Sequence, residues 1–311
     1  MYYPYFRGRR EELQAIISTS AALGANKKIT PIIEPVRENA SEVERCATAC
    51  YTSGVTLGLV VNPSVGRIVA NSSIMSQFLS DARGTGCTVI PFYLIGPSST
   101  AADITAFISR NRSGMVGFVH FNEPSNQSGI LRSLGTVSDR TTHLFIDGGC
   151  SAHYIQSVTG NIRALVRDGF LRRIRNADYP EFPEFFSDLH ATYSSHGFNG
   201  FGDFLTIGRV HIEGGGAPRA IALHLTSGTP QLIHCYHFVS TSNQTPANRD
   251  RKYREALNKL HRFVAASPST FRNSDAIREF LEDHAAGTST SLGMMKRRSM
   301  RHHLDMMCGL V

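Results

Sequence analysis

The chain counts 311 residues, 41% of them hydrophobic and 18% charged, with a formal charge of +7. No apolar run reaches the roughly 18 residues of a membrane span, and the opening MYYPYFRGRREEL puts charges where a signal peptide needs an apolar stretch. These features exclude a membrane-spanning class and point to a soluble, cytoplasmic globular protein with ample core material.

In chain order, short β-rich runs alternate with amphipathic stretches, the pattern of repeated βα units. YYPYF (2–6) predicts a strand, followed by a helix from Arg10 that ends at Gly24. KITPIIEPV (28–36) leads to a helix over 41–51, with Ser41 and Glu44 at capping-box spacing. VTLGLVVNPS (55–64) reads as a strand buried on both faces, and 73–86 as the helix after it. CTVIPFYLIG (87–96) precedes a helix opening near Thr100, and MVGFVHFNEP (115–124) precedes a weaker one over 128–137. Runs at 142–151 and 162–170 supply strands six and seven. The stretch 183–197 is expected to be helical, 198–208 a loop, and RAIALHLT (219–226) the eighth strand after the glycine run 214–216. QLIHCYHFVS (231–240) follows across Ser227-Gly228-Thr229-Pro230 and forms a hairpin with it.

The expected fold is therefore α/β: a (β/α)8 TIM-barrel-like domain over 1–245, with a C-terminal helical extension and basic tail over 246–311. The extension carries helices near 248–266 and 274–285, and its last 20 or so residues read as mobile, with His302-His303 a solvated pair. An open doubly wound parallel sheet is the alternative, and no GxGxxG follows strand one to favour a dinucleotide-binding form of it. The six cysteines are scattered and read as reduced, buried thiols; Cys46 and Cys50 lack a second ligand pair for zinc.

In such a barrel functional groups gather where strands end. The catalytic candidates are Glu34, Asp147, His120 and His224. Glu34 lies deep in an apolar run, so it is either an active acid or the partner of Arg7 or Arg9. Glu34, Glu123 and Asp147 with His120 or His224 could hold a divalent metal for phosphoester hydrolysis, although which metal or cofactor the sequence leaves open. Arg7 and Arg9 flank Gly8 at a strand-to-helix turn, where guanidinium groups and a helix N-terminus suit an anion. A polar cluster after strand seven, Arg175, Asn176 and Asp178, occupies the region that often holds phosphate in these barrels. Basic residues late in the chain, among them Arg172, Arg249, Lys296 and Arg301, admit nucleic acid as a partner or simply mark solvated helix faces. Neither GxSxG nor a P-loop is present.

The opening with Arg7, Arg9 and Glu12, followed by PIIE at Glu34, resembles the bacterial and phage beta family proteins. RNADYP (175–180), EFFSDLH (184–190), the 200–208 stretch with Asp203, and GGGAPRAIALHLT (214–226) are similar to the same family. The resemblance implies a place in anti-phage cassettes of mobile elements, beside a toxic protein and acting through protein partners. It adds Glu12 and Asp203 to the ligand-binding candidates. The reading is a defence or toxin-modulating component whose pocket recognises a phosphate-bearing or nucleotide-like ligand, with a metal-dependent phosphodiesterase or nuclease as the alternative.

Overall fold

A strand buried on both faces needs apolar residues on each, and YYPYF provides them: β1 (Tyr2–Phe6) is buried at every position. Strand and helix then alternate through α1 (Arg10–Asn26), β2 (Ile32–Ile33), α2 (Ala40–Ser53), β3 (Leu57–Val60), α3 (Ser72–Gly84), β4 (Val89–Ile95), α4 (Ala101–Arg110), β5 (Val116–His120), α5 (Gln127–Gly135), β6 (Thr141–Ile146), α6 (Ala152–Ser157) and β7 (Ile162–Arg167). There follow β8 (Glu184–Ser187), the one-turn α7 (Leu189–Thr192), β9 (Gly200–Asp203), β10 (Ala222–Gly228), β11 (Ile233–Val239), α8 (Arg249–Ala266), α9 (Asp275–Ala286) and α10 (Leu292–Leu310). The computed structural model describes residues 1–69, 72–214 and 216–311, so Gly215 of the glycine run lies outside the described residues.

Strands β1 to β7 and β9 form a closed parallel barrel, a (β/α)8 fold of the TIM type. The ring shuts where Tyr2, Tyr3 and Pro4 pair with Phe201, Gly202 and Asp203. Side chains alternate across the barrel wall. Tyr3, Tyr5, Ile32, Val60, Phe92, Val119, Leu144, Val166 and Phe204 fill the interior, while Tyr2, Phe6, Ile33, Phe118, Phe145 and Phe201 pack under the helices. The Phe92 ring takes the space that two glycines leave: a Cβ on Gly117 would stand 2.2 Å from it.

Several expectations change. The eighth barrel strand is Gly200–Asp203, inside the stretch read as a loop. Its glycines hid it from a β-propensity pattern, yet they allow the closing approach, since a Cβ on Gly202 would lie 2.3 Å from the Tyr3 carbonyl. The 219–226 run instead supplies β10, which pairs with β11 in a separate antiparallel sheet of order β10-β11-β8. Within the segment expected to be one helix, residues 184–187 form β8, because pairing of Phe185 with His234 and Glu184 with Cys235 overrides local preference. Helix α1 continues past Gly24, whose missing side chain admits the Ser53 carbonyl, and stops at left-handed Lys27. Ser41 does not cap α2: Asn39 holds the N-cap position, and the Ser41 hydroxyl donates to its side chain at 2.8 Å. Thr100 and Asp103 do form a full capping box.

The end of the chain is a packed helix rather than a mobile tail. Met300, Leu304, Met306 and Met307 of α10 join the core that the barrel strands share with α1. Each such side chain contributes roughly 1.5–3 kcal/mol of burial. His302 and His303 are wholly buried, not solvated. The arginines of α10 are used internally: Arg297 pairs with Glu11 at 2.6 Å, Arg298 with Glu279 at 2.8 Å and Asp283 at 2.5 Å, and Arg301 with Glu279 at 2.6 Å. No helix among the described residues is long and apolar enough to cross a membrane.

Candidate anion site at the barrel mouth

Inward-facing residues at the C-terminal strand ends reach the mouth of a parallel barrel. Arg7 and Glu34 hold those positions after β1 and on the end of β2, and they fill the centre themselves. Glu34 has no exposed surface. It accepts from the Arg7 guanidinium, from the Tyr5 hydroxyl at 2.7 Å, and from the Ser64 amide and hydroxyl at 2.8 and 3.0 Å. The Arg7 guanidinium also lies over the rings of Tyr5, Phe121 and Phe204, 5.4 to 5.9 Å from their centres. Neither side chain of the pair has more than 6% of its surface exposed.

Residues 209–213 cross the mouth as a strap between two glycines in the left-handed region, Gly208 at φ +70° and Gly214 at φ +79°. Basic side chains hold it by its carbonyls. Arg7 donates to Arg209 O at 2.5 Å, Arg172 to Val210 O at 3.3 Å, and Arg9 to Ile212 O. In the other direction the Arg209 amide donates to Asp168 at 3.0 Å. Between the strap and the start of α2 lies a cleft of about 820 Å³, lined by Arg9, Arg37, Glu38, Asn39, Arg67, His211, Ile212 and Glu213 among others.

The state of His211 follows from its neighbours. Arg9 Nη2 lies 3.2 Å from its Nδ1, and a guanidinium can only donate. Nδ1 therefore accepts, and in the neutral ring Nε2 carries the proton. Burial, with Arg9 and Arg7 nearby, lowers the pKa of this imidazole, which favours that neutral form. The side chain is only 6% exposed, yet Nε2–H has no hydrogen-bond acceptor among the described residues. Glu213 Oε1, at 3.9 Å, is out of reach. Such a buried, unpaired donor costs roughly 1–3 kcal/mol. Glu12 is sealed behind this wall: it accepts the Arg7 amide at 2.5 Å, and burial pushes its carboxyl up to about 7 against the pull of Arg9.

Of the residues singled out from the sequence, the mouth brings together Arg7, Arg9, Glu12 and Glu34. The others go elsewhere. His120 faces the helix layer, bonded to Tyr154 at 3.0 Å and to His143 at 2.9 Å, and burial holds its pKa well below the usual value. Asp203 also faces outward, accepting from the Tyr2 hydroxyl at 3.0 Å, His303 at 3.1 Å and the Leu205 amide at 2.9 Å. Asp147 is neutralised by Arg167 at 2.6 Å, which holds Asp188 at the same distance. His224 lies on the antiparallel sheet rather than on a barrel strand, 2.8 Å from His237, which in turn bonds Glu184 at 2.9 Å. Arg175 and Asp178 pair with each other at 2.7 Å, and Asn176 donates to the Ala220 carbonyl at 2.8 Å. Glu123 receives the Ser151 amide.

The acids and histidines expected to share a metal are therefore dispersed, and among the described residues no three His, Cys, Asp or Glu side chains come together to hold one. The parity of the strands explains this: His120 is one residue out of phase with inward-facing Val119. Sequence reasoning missed Arg37, Arg67 and His211, which lie in loops without periodicity. The one available signal was the glycines bracketing 209–213. No protein-family model matches the sequence, and no curated protein is found to be similar to it.

Proposed function

We propose that the barrel is a recognition module which binds a phosphate-bearing, nucleotide-like anion in the cleft at its mouth and acts with a protein partner. The observation that carries this reading is the buried Nε2–H of His211, a donor without an acceptor, in a cleft that also presents Arg9, Arg37 and Arg67. Several guanidinium groups lining one cleft suit a polyanion, and Asn39, the N-cap of the 14-residue α2, lines the same cleft without a side-chain cap bond. Apolar side chains exposed beside the mouth, Leu171, Ile174, Val210 and Ile212, support a docking protein. The resemblance to beta family proteins supports placing that pair in a cytoplasmic anti-phage or toxin-modulating system, and six free thiols accord with a reducing compartment.

Titration calorimetry with pyrophosphate tests the core of the proposal. Arg37→Ala and Arg67→Ala alter exposed side chains and should leave the fold intact. Each removes a charge-assisted contact of about 1.5–3 kcal/mol, so affinity should fall about tenfold or more. Absence of binding at millimolar pyrophosphate, or full affinity in both variants, refutes it.

A further inference from the structure

The cleft is not lined by donors alone. Glu38 and Glu213 stand on the same walls as Arg9, Arg37 and Arg67, and Ile212 adds an apolar face that is nearly half exposed. A site for a bare phosphate gains nothing from two carboxylates, which repel it. Carboxylates only accept hydrogen bonds, so a ligand that satisfies them must bring donors of its own. A ligand that satisfies the whole lining carries an anion at one end, hydroxyl donors next to it, and a flat apolar surface. The volume, about 820 Å³, falls within the range of small-molecule pockets.

Resting on the anion reading above, we infer that the ligand is a ribonucleoside phosphate: its phosphates meet Arg9, Arg37, Arg67 and the Nε2–H of His211, its ribose hydroxyls donate to Glu38 or Glu213, and its base lies against Ile212. Vicinal hydroxyls on a carboxylate are a recurrent way of reading ribose. Glu213 has a second duty, since it approaches Arg67 at 3.7 Å, so occupancy of the cleft would divide its attention between the guanidinium and the sugar.

The full-length chain is titrated calorimetrically with pyrophosphate, ADP, 2′-deoxy-ADP and ribose 5-phosphate. ADP should bind about tenfold or more tighter than pyrophosphate, one charge-assisted hydrogen bond or more being worth that factor. Deoxy-ADP should fall between them, and ribose 5-phosphate, lacking the base and one of the two phosphates, should bind more weakly than ADP. In the double variant Glu38→Gln with Glu213→Gln, pyrophosphate should bind as well or better, because two repelling charges are gone, while the advantage of ADP over pyrophosphate shrinks to about threefold or less. If the variant strengthens both ligands by one factor, the acids only repel anions and the ribose assignment fails. The same holds if wild type binds pyrophosphate as tightly as ADP, an outcome that leaves the anion site standing. If neither binds, the anion reading itself is lost.

Discussion

Glu34→Gln tests whether the central acid is a structural counter-ion. Its two oxygens are spoken for on opposite sides: Oε2 by Arg7 and Tyr5, Oε1 by the amide and hydroxyl of Ser64. An amide in that place must turn its NH2 either on Arg7 and Tyr5 or on Ser64, setting donor against donors. It also leaves the buried Arg7 guanidinium without its charge partner. Breaking one side of such a pair costs about 3–5 kcal/mol, and at roughly 2 °C per kcal/mol for a chain this long the melting temperature should drop by about 6–10 °C. Urea unfolding followed by circular dichroism measures the change directly. Arg7→Met combined with Glu34→Leu should lose less than Glu34→Gln alone, since it removes both charges and leaves neither stranded. A loss below about 1 kcal/mol in Glu34→Gln would refute the reasoning and return the acid to the list of catalytic candidates.

Three further outcomes follow from the same geometry. The Glu12 carboxyl, held near 7 against an ordinary 4.5, binds its proton more tightly in the folded than in the unfolded chain; stability should therefore decline as pH rises from about 5 to 8, by about 3 kcal/mol at most. Glu12→Gln should flatten that decline in urea titrations at several pH values, and an unchanged slope would rule the assignment out. Asp203→Asn weakens the bonds to Tyr2 and His303 and should cost about 2–4 kcal/mol, yet pyrophosphate affinity should stay within about twofold because the side chain faces away from the mouth; loss of binding without loss of stability would overturn that placement. Finally, an anion on Nε2 of His211 raises a pKa that burial holds below 6.5 in the free protein. Sulfate, which does not titrate in this range, should bind more tightly as pH falls below 6.5, and His211→Gln should abolish that dependence; a dependence that persists in the variant belongs to another group.

The barrel was legible because βα alternation is a long-range pattern that survives local errors, and β1, with YYPYF, states burial on both faces outright. The errors fell where a tertiary contact chose the conformation. GFGD at 200–203 has almost no β-propensity, but only glycines let a strand come so close to Tyr3 and close the ring. EFFSDLH reads as a helix until β11 offers Glu184 and Phe185 a pairing edge. The basic stretch at 296–301 looks solvated in one dimension, whereas in three its arginines meet Glu11, Glu279 and Asp283.

The candidate site was only half legible for a related reason. Residue type and strand end pointed to Arg7, Glu34 and His120, and the family resemblance to Asp203, but strand parity divides them: the first two face the mouth, the last two the helices. The two that face the mouth bond each other, while Arg7 Nε, itself buried, has no hydrogen-bond partner among the described residues. At the rim Arg9 gives Nη2 to the strap, and His211 likewise keeps a donor that nothing accepts. The proposed site is set apart by the coincidence of an unpartnered His211 donor with three arginines around one cleft, not by charge alone. That coincidence is a property of the folded arrangement of 9, 37, 67 and 211, four positions with no periodic relation along the chain, and it is why the proposed anion site lies in the cleft beneath the strap rather than on the barrel axis.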